Sequence, residues 1–173
     1  MNLSIWKLLF YIIFENFLLI YVGLGSIDIK LSIEKYIQII TIYTLCVILI
    51  RNILDLYGYH IAILCFLLIV LFKFFVDISW SLATIASMLG FIFLLLGEIL
   101  FFPIIFHYTN IFDNIHELIN SNNLIWVSIA FYLSKLPLII SGISIYYLDI
   151  SFFKSESLNR IFNSVGDKNE MGK

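Results

Sequence analysis

Five long apolar runs, at about 6–25, 36–56, 60–76, 80–106 and 124–150, dominate this 173-residue chain and limit what it can fold into. A hydrocarbon layer about 30 Å thick is crossed by roughly 20 apolar residues in a helix, which satisfies its own backbone hydrogen bonds. The runs therefore read as five transmembrane helices in an all-α membrane bundle. Composition agrees: 62% of residues are hydrophobic and 13% charged, where soluble domains carry about 45–50% and 25%. Mean hydropathy is +1.04. Such a chain has too little polar sequence for an ordinary soluble enzyme or a disordered tail. Its net charge of −2 lacks the basic excess that nucleic acid requires. The partner expected first is the lipid bilayer.

The first run is not followed by a small-residue cleavage site; it ends at Gly23-Leu-Gly-Ser26. It reads as a retained helix rather than a signal peptide. Orientation follows from the basic residues. Five crossings put Lys30, Lys35, Lys73, Lys154, Arg160, Lys168 and Lys173 on one side, and only Lys7 and Arg51 on the other. The N-terminus is thus expected outside and the C-terminus in the cytoplasm. A bacterial plasma membrane is the expected location. Residues 1–150 form the expected membrane domain and 151–173 a cytoplasmic juxtamembrane tail. The loop at 107–123 places Ile111, Ile115, Leu118 and Ile119 at helical spacing, which predicts a short amphipathic helix on the outer surface.

Ionisable groups inside apolar helices cost roughly 2.5–3.5 kcal/mol each on insertion scales, so they persist where they pair, face a bundle interior or meet water. Here they are Glu15, Arg51, Asp55, Glu98 and Lys135. At a rise of about 1.5 Å per residue, Glu15, Glu98 and Lys135 lie at similar depth in the outer half of the bilayer. On the fourth helix Thr84, Ser87, Phe91 and Glu98 share a face, flanked by Ala83, Gly90 and Gly97. On the fifth, Ser128, Lys135, Gly142 and Tyr146 do. The two helices are expected to pack through these faces and bring Glu98 to Lys135. Pro137 withholds an N–H from the carbonyl of Leu133 and predicts a kink beside Lys135. Glu15, Arg51, Glu98 and Lys135 are the candidate ligand-binding residues. The alternative is an ion pair that only locks the bundle.

Other chemistry is sparse. His60, His107 and His116, with Asp113 and Glu117, fall on the outer side but match no metal-ligand spacing. His60 and Cys65 could suggest a thiol peptidase. Five residues apart on a helix, they point about 140° apart, and an apolar setting does not activate a thiol. Arg51 and Asp55, four apart, read as a helix-end pair. Cys46 and Cys65 lie inside apolar runs, so no disulfide framework is indicated. No catalytic, metal or cofactor motif stands out. The chain reads as a non-enzyme without a cofactor.

The segment from Phe14-Glu-Asn-Phe to Gly25, the Arg closing Val47-Ile-Leu-Ile-Arg51, the Gly58-Tyr-His60 start of the third helix and Leu94-Leu-Leu-Gly-Glu98 together make a pattern. It resembles the N-terminal membrane region of GHKL-type quorum-sensing sensor histidine kinases of low-GC Gram-positive bacteria. The resemblance covers about residues 6–150. It implies a region that perceives an external peptide or small signal. The kinase part of that family, with its phospho-acceptor His and Asp-x-Gly-x-Gly box, has no counterpart in this sequence. The implied protein is a sensor-like module acting through a separate cytoplasmic output protein. A structural subunit of a larger membrane complex and a small transporter component are the competing expectations.

Overall fold

A computed structural model describes residues 5–53, 60–109 and 124–148. All regular structure among them is helical: α1 (Ile5–Gly25), α2 (Ile33–Ile53), α3 (His60–Leu71) continuing as a π-helical turn (Phe72–Val76), α4 (Trp80–Thr109), α5 (Leu124–Ser134) and α6 (Leu136–Leu148). The surface helix expected at 107–123 and the tail expected at 151–173 lie outside the described residues, apart from the end of α4.

Local chemistry sets the helix ends. After Gly25 the chain turns through Ser26, whose hydroxyl donates to the Val22 carbonyl at 2.6 Å, and Asp28, at φ 63°. Asp is among the few residues that tolerate this left-handed region. Asp77, at φ 60°, stops the π-helical turn in the same way. Ser79 caps α4, its hydroxyl accepting the Leu82 N–H at 3.3 Å.

The helices are apolar all round. Exposed large side chains recur along the outer face of each: Phe10, Ile13 and Phe17 on α1, Leu45 and Leu49 on α2, Met88, Ile92, Leu96 and Ile99 on α4, Ile140 and Ile143 on α6. A water-soluble bundle would place polar residues there. Two of the helices, over Ile33–Ile50 and Trp80–Phe101, are long and apolar enough to cross a membrane.

At the centre sit α1 and α4. α1 packs on α2, α4 and α6, and α4 also on α3, α5 and α6. Leu19, Ile20, Val22 and Leu24 of α1 are at most 2% exposed. Small residues permit the close crossing: a Cβ on Gly23 would press on the Ala86 carbonyl, and one on Gly90 on the Leu19 carbonyl. The small-residue flank expected on α4 is thus divided: Gly90 meets α1, whereas Gly97 meets the fifth stretch at Ser134.

Candidate functional site

The fifth apolar stretch is not one helix. Pro137 lacks the N–H that would bond the Leu133 carbonyl, so α5 ends at Ser134 and Lys135 occupies a turn. The Lys135 N–H reaches the carbonyls of Phe131 and Tyr132, both at 3.2 Å, and the ladder resumes when Ile139 N–H donates to the Lys135 carbonyl at 2.9 Å. Pro137 falls in the first turn of α6, where a missing N–H costs nothing. The kink expected beside Lys135 is thus a full break.

Against this break lies Gly97 of α4. A Cβ there would collide with the Ser134 carbonyl oxygen and stand 3.1 Å from Pro137 Cδ. Glycine lets the α4 backbone touch the turn, and the next residue is Glu98. As a result Lys135 Nζ donates to Glu98 Oε1 at 2.7 Å and stands 3.2 Å from Glu15 Oε2 on α1. The Phe131 ring lies on another side of the ammonium, 5.8 Å to its centroid. The Lys135 side chain is 3% exposed, Glu15 15% and Glu98 33%.

At an effective dielectric of about 20, each contact is worth about 5–6 kcal/mol of gross attraction. Several kcal/mol of desolvation per ion oppose it. The arrangement is sustainable because the cation meets two anions, while Glu98 keeps partial access to its surroundings.

The surrounding polar groups are also satisfied. Tyr11 and Ser128 hydroxyls share a 2.6 Å hydrogen bond, tying α1 to α5, and Tyr11 packs on Phe131 with centroids 4.5 Å apart. Asn16, one residue past Glu15, donates to Thr44 Oγ1 of α2 at 3.0 Å. Ser87 donates to the Cys65 carbonyl at 3.1 Å, joining α4 to α3.

Glu15 and Glu98 have a second aspect. With Asn16, Tyr43 and His60 they line a partly enclosed cavity of about 60 Å³ between α1, α2, α3 and α4. That volume holds a few water molecules. Lys135 is not among its lining residues, so the two carboxylates stand between the ammonium and the cavity.

Three of the four candidate residues, Glu15, Glu98 and Lys135, therefore meet. Arg51 belongs to α2, but its side chain lies outside the described part of the structure, as does Asp55. The other wheel-derived contacts need correction. Ser87, expected on the face toward the fifth stretch, instead donates to the Cys65 carbonyl of α3. Gly142 faces Leu18, Tyr21 and Val22 of α1 rather than α4, and Tyr146 is 71% exposed. Ser128, Lys135 and Gly142 do share a face, but that face meets α1 through Tyr11, Glu15 and Val22, and of the three only Lys135 also reaches Glu98 of α4. His60 lines the cavity, whereas His116, Asp113 and Glu117 lie outside the described residues. Cys65 Sγ has Ser87 Oγ at 3.5 Å.

Asn16, Thr44, Tyr43 and Tyr11 are site residues that sequence reasoning missed, whereas Ser128 was placed on the Lys135 face without its partner Tyr11. The signal for Asn16 was present, since an amide beside a carboxylate in the middle of an apolar run needs a partner.

No family model, curated protein or solved structure matches this chain. Fold and site together define an all-helical protein with membrane-compatible helices and an ion triad shared by α1, α4 and the α5–α6 break.

Proposed function

We propose that the chain is a five-span plasma-membrane protein, N-terminus outside, that works as a non-enzymatic sensor-like module. The observation that carries this reading is the Lys135 ammonium held between Glu15 and Glu98 at a helix break, with both carboxylates also facing a cavity. Among the described residues, one ammonium stands against two carboxylates and leaves a negative remainder. The cavity suits an amine group: a small organic amine, or the amino terminus or lysine tip of an external peptide. Docking of an ammonium beside Glu15 and Glu98 competes with Lys135 for the same oxygens. Loosening Lys135 frees the turn at Pro137, and α6 leads from there to the tail, where a separate cytoplasmic protein would read the change.

A test uses the full chain in lipid nanodiscs with methylammonium and acetate as probes. Methylammonium is expected to raise the unfolding midpoint of the native chain and not of Glu98→Gln, with acetate inert. Equal responses to both probes, or an unchanged response in Glu98→Gln, would count against the site.

A structural-subunit reading draws on the exposed apolar stripe of Ile92, Leu96 and Ile99 on α4, a face another subunit could cover. Retention of a stoichiometric membrane partner through detergent purification would favour it.

A further inference from the structure

At the opposite end of the bundle from the α3 N-terminus, a groove of about 610 Å³ lies between the end of α1, the start of α2 and the end of α6. This falls in the size range of small-ligand sites. One wall is aromatic and fixed. The Tyr36 hydroxyl donates to the Phe17 carbonyl, the Phe17 and Tyr36 rings meet edge-on at 5.2 Å, and Tyr21 stacks on Phe17 at 6.4 Å. Ile37 lines the α2 side and Tyr146 the α6 side. Gly25 keeps α6 close, since a Cβ there would meet Ile145 Cγ2.

Two charged residues, Asp28 and Lys30, complete the lining. Both are exposed and sit on a turn held firmly in place. Ile27 is fully buried, the Asp28 N–H donates to the Gly25 carbonyl at 3.1 Å, and the Ile29 N–H to the Leu24 carbonyl at 3.1 Å. From Ile33 to Ile40 the α2 wall runs about 10 Å along the helix axis. The groove thus joins a carboxylate and an ammonium, carried on a fixed backbone turn, to an apolar trough.

We infer that this groove holds one acyl chain of a phospholipid with an ammonium-bearing headgroup, its phosphate on Lys30 and its ammonium on Asp28. The charge pattern selects among lipids. An anionic glycerol headgroup would bring a phosphate to Lys30 but no cation to Asp28. A quaternary choline would bring charge but no N–H donors. Tyr and Lys are also the residues suited to the boundary between headgroups and hydrocarbon. The inference rests on the membrane reading above.

The test takes the full chain reconstituted in vesicles of equal phosphatidylethanolamine, phosphatidylglycerol and phosphatidylcholine. The vesicles are washed at alkaline pH, extracted in mild detergent and analysed by native mass spectrometry. One retained phosphatidylethanolamine per chain is expected, at least fivefold over the other two lipids. Ile37→Trp, which fills the trough from an exposed position, should abolish retention, whereas Ile92→Trp on the outer face of α4 should not. Asp28→Asn should keep a lipid but lose the headgroup preference. An integral chain without bound lipid, as when another part of the protein fills the groove, would overturn the inference and leave the membrane reading standing. So would equal retention in Ile37→Trp, or an unaltered preference in Asp28→Asn. Release of the chain by the alkaline wash would overturn both.

Discussion

Replacing Lys135 by Met keeps the apolar stem and removes the charge from between two carboxylates. Glu98 Oε1 and Glu15 Oε2 lie 2.7 Å and 3.2 Å from the ammonium, so both lose their counter-ion in one step. Removing one member of a buried ion set costs about 3–5 kcal/mol, because uncompensated charge is left behind. The partial exposure of Glu98 puts the expectation at the lower end, about 3 kcal/mol. The triple variant Glu15→Gln, Glu98→Gln, Lys135→Met carries no ion and nearly the same volume. Most of the single-variant cost is the uncompensated charge, which the two Gln substitutions remove, so the triple variant should recover about 2 kcal/mol of the loss. The assay is reversible denaturant unfolding in mixed micelles, with both variants measured against the native chain. Equal loss in the single and triple variants would mean that Lys135 acts through packing, and the electrostatic reasoning would be wrong. A loss under about 1 kcal/mol in the single variant would refute it as well.

Two further outcomes follow from the packing. Gly97→Ala should destabilise the bundle by about 1–3 kcal/mol, because its Cβ meets a backbone carbonyl that cannot rotate away. Gly142→Ala, whose Cβ would find ordinary contacts at 3.6 Å and beyond, should be nearly neutral; thermal unfolding of both checks the contrast. For Asn16 and Thr44, a double-mutant cycle with Asn16→Leu and Thr44→Val should give a coupling of about 0.6 kcal/mol, the average for interhelical hydrogen bonds in lipid, and no more than about 1.7 kcal/mol. Zero coupling would remove that bond from the account.

Much of the site could be read from the sequence for one physical reason. A charge inside an apolar run is costly enough to need a partner, and Glu15, Glu98 and Lys135 stood at similar depth on different helices. Pro137 was equally informative, because a missing N–H has a local consequence that no tertiary contact erases. What could not be read was which face meets which. Apolar helices carry almost no polar stripe to orient them. The α1–α4 contact at Gly23 and Gly90 is a matter of backbone approach, which residue type permits but does not specify. Along the fifth stretch the shared face of Ser128, Lys135 and Gly142 was legible, but not that it meets α1, because residue type does not choose between two apolar neighbours. The groove by Tyr36 was invisible to spacing arguments, since its walls come from three helices and its charged rim from a turn.

The central claim is that the cavity beside the ion triad is reached from outside the cell. Leu95 lines that cavity, so the decisive measurement places Leu95→Cys in a chain whose Cys46 and Cys65 are replaced by Ser. Intact cells are then treated with a small, membrane-impermeant cationic thiol reagent. The account predicts labelling from outside, slowed severalfold by methylammonium and not by sodium acetate. Labelling only after the membrane is permeabilised, or at a rate indifferent to methylammonium, would contradict it.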